Sequence, residues 1–258
     1  TKAQIEKQKR ERLGLINKTN EGYEMKIIKY NVSSDIIVEI QDEYKAKIHT
    51  KFCHFESGNV KNPYHPNKWG GYIGEGKYTI FKNGKQTECG KKWMSMLIRC
   101  YDEEFHKKEP TYADCEICKE WLNYQNFAEW FYKNYYEISN EKMCLDKDIL
   151  IKGNKIYSPQ TCIFVPDRIN KLFIKSDAIR GEYPIGVSYH KAYGKLRVRC
   201  NVFENGKKKL KHLGYFPLNK PFQAFYTYKQ FKENYIKQIA DEYKNSIPNG
   251  LYEAMYNY

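Results

Sequence analysis

Residues Met143 to Lys175 read MCLDKDILIKGNKIYSPQTCIFVPDRINKLFIK, and the order of signals in this stretch decides how the middle of the chain folds. Leu145-Asp146-Lys147-Asp148 begins as a short strand, and Gly153-Asn154 is a hairpin turn signal. The apolar run Thr161 to Val165 pairs back. Pro166 at a first helical position, with Asp167 in the first turn, then opens a helix whose inner face carries Ile169, Leu172 and Phe173. The expected order is strand, turn, strand, helix, with Asp146 at a strand end and Asn170 in the helix, 24 positions later.

That arrangement resembles the HNH (ββα-metal) nucleases. The resemblance implies one divalent cation, Mg²⁺ or a similar hard ion, held by Asp146 and Asn170. Such an ion takes oxygen ligands, keeps several waters and stabilises charge on a leaving 3′ oxygen. Lys147 stands where the family has its general-base His, and an ammonium group is a poor base unless burial lowers its pKa. Asp148 or a metal-bound water then substitutes, Lys147 orients water or phosphate, and Asn154 supports the loop; otherwise the unit binds without cutting. A wider string is similar to phage proteins of HNH endonuclease type, in which Arg or Lys commonly occupies the base position. It runs Trp93, Met96, Arg99-Cys100-Tyr101, Cys118, Trp121, Phe127, Leu145 to Asp148 and Tyr157-Ser158-Pro159, and covers roughly residues 90 to 175.

The chain has 258 residues and a net charge of +13, which points to a polyanionic partner. Nucleic acid is favoured over membrane, because no apolar run approaches the roughly eighteen residues of a spanning helix and no signal peptide is visible. A Lys-rich surface without a partner is the competing reading. Twenty-four Tyr and thirteen Phe supply stacking surface or core. The eight Cys are scattered, as in a reducing cytoplasmic setting. Only Cys115 and Cys118 form a close pair, so zinc is not expected and buried thiols are the better reading.

In chain order, residues 1–22 form a basic helical lead, either an arm along phosphates or a solvated helix. Residues 23–66 give short alternating strands of a small β-barrel-like domain, of DNA-binding or packing role. Residues 67–176 form the HNH-like domain. Its Trp69 to Gly76 link lacks the Gly-Lys-Ser/Thr ending of a phosphate loop. A helix over 91–101 buries Trp93, Met96, Leu97 and Cys100, and Arg99 faces either phosphate or solvent. A loop follows over 102–112, and 118–136 is helical. His106 in that loop is a candidate to supply an imidazole from outside the motif.

In residues 177–258 the run from Lys195 to Val202 alternates strictly, with Leu196, Val198, Cys200 and Val202 on one face and Lys195, Arg197, Arg199 and Asn201 on the other. Asn205-Gly206 turns the hairpin, 207–216 returns as the third strand, and 222–243 is a long amphipathic helix over the apolar side. Between Gly186 and Phe216 eight Lys or Arg face one acid, Glu204, so more than half of the net charge sits there. Gly186-Val187-Ser-Tyr, Gly194-Lys195-Leu-Arg197-Val, Leu213-Gly214-Tyr-Phe216 and Ala224-Phe-x-x-Tyr228 look like the ethylene-response-factor (Apetala-type) DNA-binding domain and its phage-borne relatives. The resemblance implies that the outward sheet face meets duplex DNA, with Arg197 and Arg199 on bases and Lys191, Lys195, Lys209 and Lys211 on phosphates; Asn201 and Lys207 extend the set. Tyr189-His190 departs from the plant pattern, so no target sequence carries over.

The sequence therefore leads to an α+β protein, phage- or mobile-element-encoded, that binds double-stranded DNA specifically and acts as an HNH-like endonuclease or nickase. The alternative is a DNA-binding regulator, or an inhibitor of a host nucleic-acid system, descended from one. The sequence leaves any protein partner undetermined.

Overall fold

A computed structural model describes residues 2–138, 141–174, 181–204 and 207–258. The molecule is α+β, with helices and several small sheets. It divides into two compact units, residues 1–133 with 156–158, and residues 134–155 with 159–258. The division runs differently from the four spans drawn from sequence. Residues 67–133 belong with the N-terminal sheet, and the ββα stretch belongs with the C-terminal sheet.

The first unit opens with helix α1 (Lys2–Arg12), which buries none of its residues. Strands β1 (Ile16–Lys18), β2 (Glu24–Val32), β3 (Asp35–Ile40) and β4 (Lys47–Thr50) follow as an antiparallel meander in sequence order. Where a small barrel was expected, β1 and β4 are the two edges of this sheet. Met25, Ile27, Tyr30, Ile36, Val38 and Ile40 lie on the buried face, against Phe52 and Phe55 of α2 (Phe52–Glu56), the alternation in β2 being offset by a register shift between Ile27 and Lys29.

After the small hairpin β5 (Phe81–Lys82) and β6 (Lys85–Gln86), helix α3 spans Glu88–Tyr101. Thr87 starts it by accepting the Gly90 N–H through Oγ1 at 3.0 Å. Trp93, Met96, Leu97 and Cys100 are buried, and Gly71 lies so close to Trp93 and Leu97 that a Cβ there would collide with both. The expected loop 102–112 instead holds α4 (Glu103–Lys108) and a 3-10 turn. Asp102 caps α4 by accepting the Phe105 N–H at 2.9 Å, with two glutamates in the first turn, a start signal that the charge-rich sequence hid. Strand β7 (Glu116–Ile117) precedes α5 (Lys119–Leu122) and α6 (Tyr124–Asn134), which break at Asn123.

The chain then forms β8 (Met143–Asp146). It gives Ile156–Tyr157 to the first unit as β9, parallel to β7. In the second unit β10 (Ile163–Pro166) pairs antiparallel with β8, with Ile163 opposite Asp146 and Pro166 opposite Met143. Pro166 thus ends the strand and caps the helix, which begins one position later than expected, and α7 (Asp167–Asn170) is a single turn.

A three-stranded antiparallel sheet follows, in order β11 (Val187–His190), β12 (Lys195–Glu204) and β13 (Lys207–Phe216). The Asn205-Gly206 turn lies outside the described residues. Helix α8 (Pro221–Tyr243) then serves two cores. Its first half places Ala224 against Val187, Leu196 and Val198. Its second half places Tyr235, Ile236, Ile239, Ala240 and Tyr243 against Val165, Ile169, Leu172 and Val202. Each buried Ile contributes about 1.5–3 kcal/mol by leaving water. Arg168 and Glu242 tie α7 to α8 at 2.7 Å. A last helix, α9 (Asn249–Tyr256), buries Leu251 and Met255 and was missed in sequence because Pro248-Asn249-Gly250 reads as a terminator.

Candidate nucleic-acid interface and carboxylate site

The C-terminal sheet has one sealed side and one open side. Leu196, Val198, Cys200 and Val202 are buried, whereas Lys195 and Asn201 are exposed and Arg197 and Arg199 are half-buried. Residues directly opposite each other on antiparallel strands share a face. Ser188, Arg197 and Tyr215 are therefore one outward rung, followed by Arg199 with His212, Asn201 with Leu210, and Phe203 with Lys208.

The register shifts between Val198 and Arg199, where Leu213 is the extra residue and Gly214 takes φ +138. This bulge decides which lysines of β13 accompany the arginines. Lys207, Lys209 and Lys211 fall opposite Glu204, Val202 and Cys200, on the helix side of the sheet. Lys211 extends its ammonium over the Phe231 ring of α8, 5.1 Å from the centroid. Lys208 joins the outward face in their place. Sequence alone cannot show where a bulge enters, so the expected placement of Lys209 and Lys211 beside Arg197 is corrected. Lys191, in the 3-10 turn between β11 and β12, is exposed.

An aromatic group unforeseen from sequence stands around Arg197. His190 stacks on Tyr193 at 4.8 Å and meets Tyr215 at 5.5 Å, Tyr193 meets Tyr215 at 5.0 Å, and His212 lies 4.5 Å from Tyr215. Tyr193 is 61% exposed. Within this group Arg197 Nε and His190 Nδ1 are buried with no hydrogen-bond partner, a costly state for a polar atom unless something satisfies it. The group left no mark in sequence, because the strand register that brings Tyr215 beside Arg197 is set by tertiary pairing.

The second candidate region is the ββα stretch. Asp146 ends β8 and turns its carboxylate onto its own loop, Oδ1 accepting the N–H of Asp148 at 2.9 Å and of Ile149 at 2.7 Å. Burial, and then the charge of Asp148, push the Asp146 carboxyl well above the usual carboxylate range. Lys147 is buried, its Nζ 3.8 Å from Asp148 Oδ2. Asn154 supports the loop, its Nδ2 donating to the Lys147 carbonyl at 2.7 Å. Asn170 ends α7, and no hydrogen bond joins its side chain to Asp146.

Two carboxylates in mutual repulsion, one with an oxygen not spent on the backbone, form a donor set that suits a hard divalent cation. Asp146 with Asn170 would hold it, and Asp148 would add negative charge. Among the described residues no group of three or more His, Cys, Asp and Glu side chains converges. His106 sits in the first unit with Nε2 2.8 Å from the Arg99 carbonyl oxygen. Arg99 lies 5.6 Å from the Tyr112 ring and hydrogen-bonds Tyr157. Cys115 is buried and Cys118 half-buried, and burial pushes the Cys118 thiol up. Among the described residues no helix is long and apolar enough to cross a membrane. Compared with family models, curated proteins and solved structures, the chain matches none.

Proposed function

We propose that this chain binds double-stranded DNA, with sequence preference, through the outward side of its C-terminal sheet. The observation that carries the reading is the two-sidedness of β12: every apolar residue from Leu196 to Val202 is sealed, and every alternate residue is cationic or polar and reaches solvent. Arg197 and Arg199 have the donor geometry for guanine edges, Lys195, Lys191 and Lys208 neutralise phosphates, and Tyr193 and Tyr215 offer apolar contact at the rim.

The test is selection of duplexes from a random pool, followed by fluorescence anisotropy on the enriched site. Arg197→Ala is expected to cost about 1–3 kcal/mol on that site and little on a scrambled duplex. Equal loss on both would remove base reading from the proposal.

A second reading, that the same protein nicks or cuts the DNA in the manner of HNH-type enzymes of phages and mobile elements, is favoured by the Asp146–Asp148 pair at the end of β8. A divalent cation bound there supplies charge stabilisation to a leaving oxygen. Asp146 and Asn170 would hold it, Asn154 fixes the loop, and Lys147 places a positive charge beside Asp148. Supercoiled plasmid with Mg²⁺ or Mn²⁺ is expected to yield nicked circles that disappear with Asp146→Ala and with Asn170→Ala. Activity that survives both changes refutes the site, and a metal-independent gel shift without nicking leaves the chain as a DNA-binding regulator or inhibitor.

A further inference from the structure

Within the second unit lies an open cleft of about 890 Å³. β11 reaches β12 only as far as the bond from the Arg199 N–H to the Gly186 carbonyl, 2.9 Å, and the cleft lies along the part of β12 beyond it, where Arg199 and Asn201 line its wall. Among the described residues six cations line it, Lys152, Lys171, Arg199, Lys208, Lys229 and Lys232, with one acid, Glu233. Lys229 is engaged with Glu233 at 3.7 Å and Lys171 with Asp167, but Lys232, half-buried, has no carboxylate partner among the described residues. Burial pushes its ammonium below the ordinary lysine range, as expected where a charge has been left without a counterion. Phe173 and Tyr258 stand together in the wall, 4.5 Å apart and edge to face, with Lys152 over the Tyr258 ring at 5.0 Å.

Two facts narrow the occupant. The cleft has the size of a small-ligand pocket, roughly 300–1,000 Å³, so a duplex cannot enter it. It is also continuous with the outward sheet face, because Arg199, Asn201 and Lys208 belong to both. At its other end Lys152 belongs to the loop that follows Asp146. Cations that track a backbone, interleaved with aromatic rings that accept bases, are the elements of a single-strand groove.

We propose that this cleft holds a short single-stranded stretch of DNA adjoining the duplex on the sheet, with phosphates against Lys229 and Lys232 and a base against Tyr258. Its placement beside a duplex rests on the DNA-binding reading above; the cleft's preference for a single strand does not. A strand so held would run from the reading face toward the Asp146 loop.

The experiment uses the full chain and three probes at one salt concentration: a short blunt duplex carrying the selected site, the same duplex with an oligo-thymidine overhang, and oligo-thymidine alone. The overhang is expected to tighten binding about tenfold, the scale of one stacked base. Lys232→Met, which keeps the apolar stem, and Tyr258→Ala are expected to abolish that gain and leave blunt-duplex binding unchanged. Arg197→Ala is expected to weaken the blunt duplex and leave the gain intact. No gain from the overhang, or a gain that survives both cleft variants, overturns the inference while the sheet reading stands. Oligo-thymidine binding that needs Lys232 and Tyr258, without any duplex binding, sustains the cleft and sinks the sheet. Failure to bind all three probes sinks both. Should Lys232→Met unfold in a thermal melt, Lys152→Ala with Tyr258→Ala decides the matter.

Discussion

Arg197 and Asp146 are the two charged residues on which the functional readings turn, and the fold treats them in opposite ways. Arg197 stands on the outward side of β12, and among the described residues no hydrogen bond or ion pair ties its side chain to the fold. Asp146 is half-buried, and its Oδ1 holds two backbone N–H groups of the loop that follows. A residue with no structural duty reveals its purpose when it is replaced. A residue that also props up its loop does not, since its loss disturbs both shape and chemistry.

The sharpest way to break that contrast is to reverse the sheet's charge. Arg197→Glu with Arg199→Glu is expected to weaken duplex binding by about 100-fold or more while the denaturation midpoint moves little, as for surface changes within about 0.5 kcal/mol; a large fall in stability would show that the arginines have a packing role. Next in size, Asp146→Ala is expected to destabilise by about 1–2 kcal/mol through its lost loop bonds. Asp146→Asn keeps the acceptor and removes the buried charge, so its urea midpoint should equal or exceed the parent's. Mg²⁺ should raise the parent's melting temperature and leave that of Asp146→Asn unmoved; an equal rise in both would dissociate the cation from this carboxylate. Tyr235→Phe removes the hydroxyl that accepts the Phe203 N–H at 2.6 Å, and a loss of about 1 kcal/mol is expected.

The smallest effect concerns acid. Hydrogen bonds from Tyr256 and then Tyr252 hold the Asp241 carboxyl below its ordinary range and fasten α9 to α8. A depressed carboxyl stabilises the fold above its unfolded pKa, and that share is lost as the pH falls through the folded value. Asp241→Asn should therefore lose stability near neutrality and show a flatter acid limb in urea melts taken from neutral pH downward. An unchanged limb would remove Asp241 from the account.

The strictly alternating β12 was legible because burial on one side leaves a period-two record in sequence, and α8 was legible from its amphipathic spacing. The ββα order was readable for a different reason: Gly153 needs its left-handed turn, φ +83, and Pro166 marks a boundary whichever side of it the helix begins. What escaped has a common cause. The bulge at Val198/Arg199, the turn bonds of Asp146 and the cleft between residues as distant as Lys152 and Tyr258 are set by where segments meet. Composition does not record such meetings, and a one-residue offset in β13 was enough to exchange Lys208 for Lys209 and Lys211 on the outward face.

Helix α8 has a consequence for how such a protein is inherited. Because Ala224 seals the sheet while Ile236, Ile239 and Tyr243 seal the ββα stretch, neither can be exchanged by gene shuffling without half of a helix belonging to the other. A crossover anywhere along residues 221–243 would leave one lineage with an uncovered apolar surface, so the two are expected to travel between genomes as one cassette.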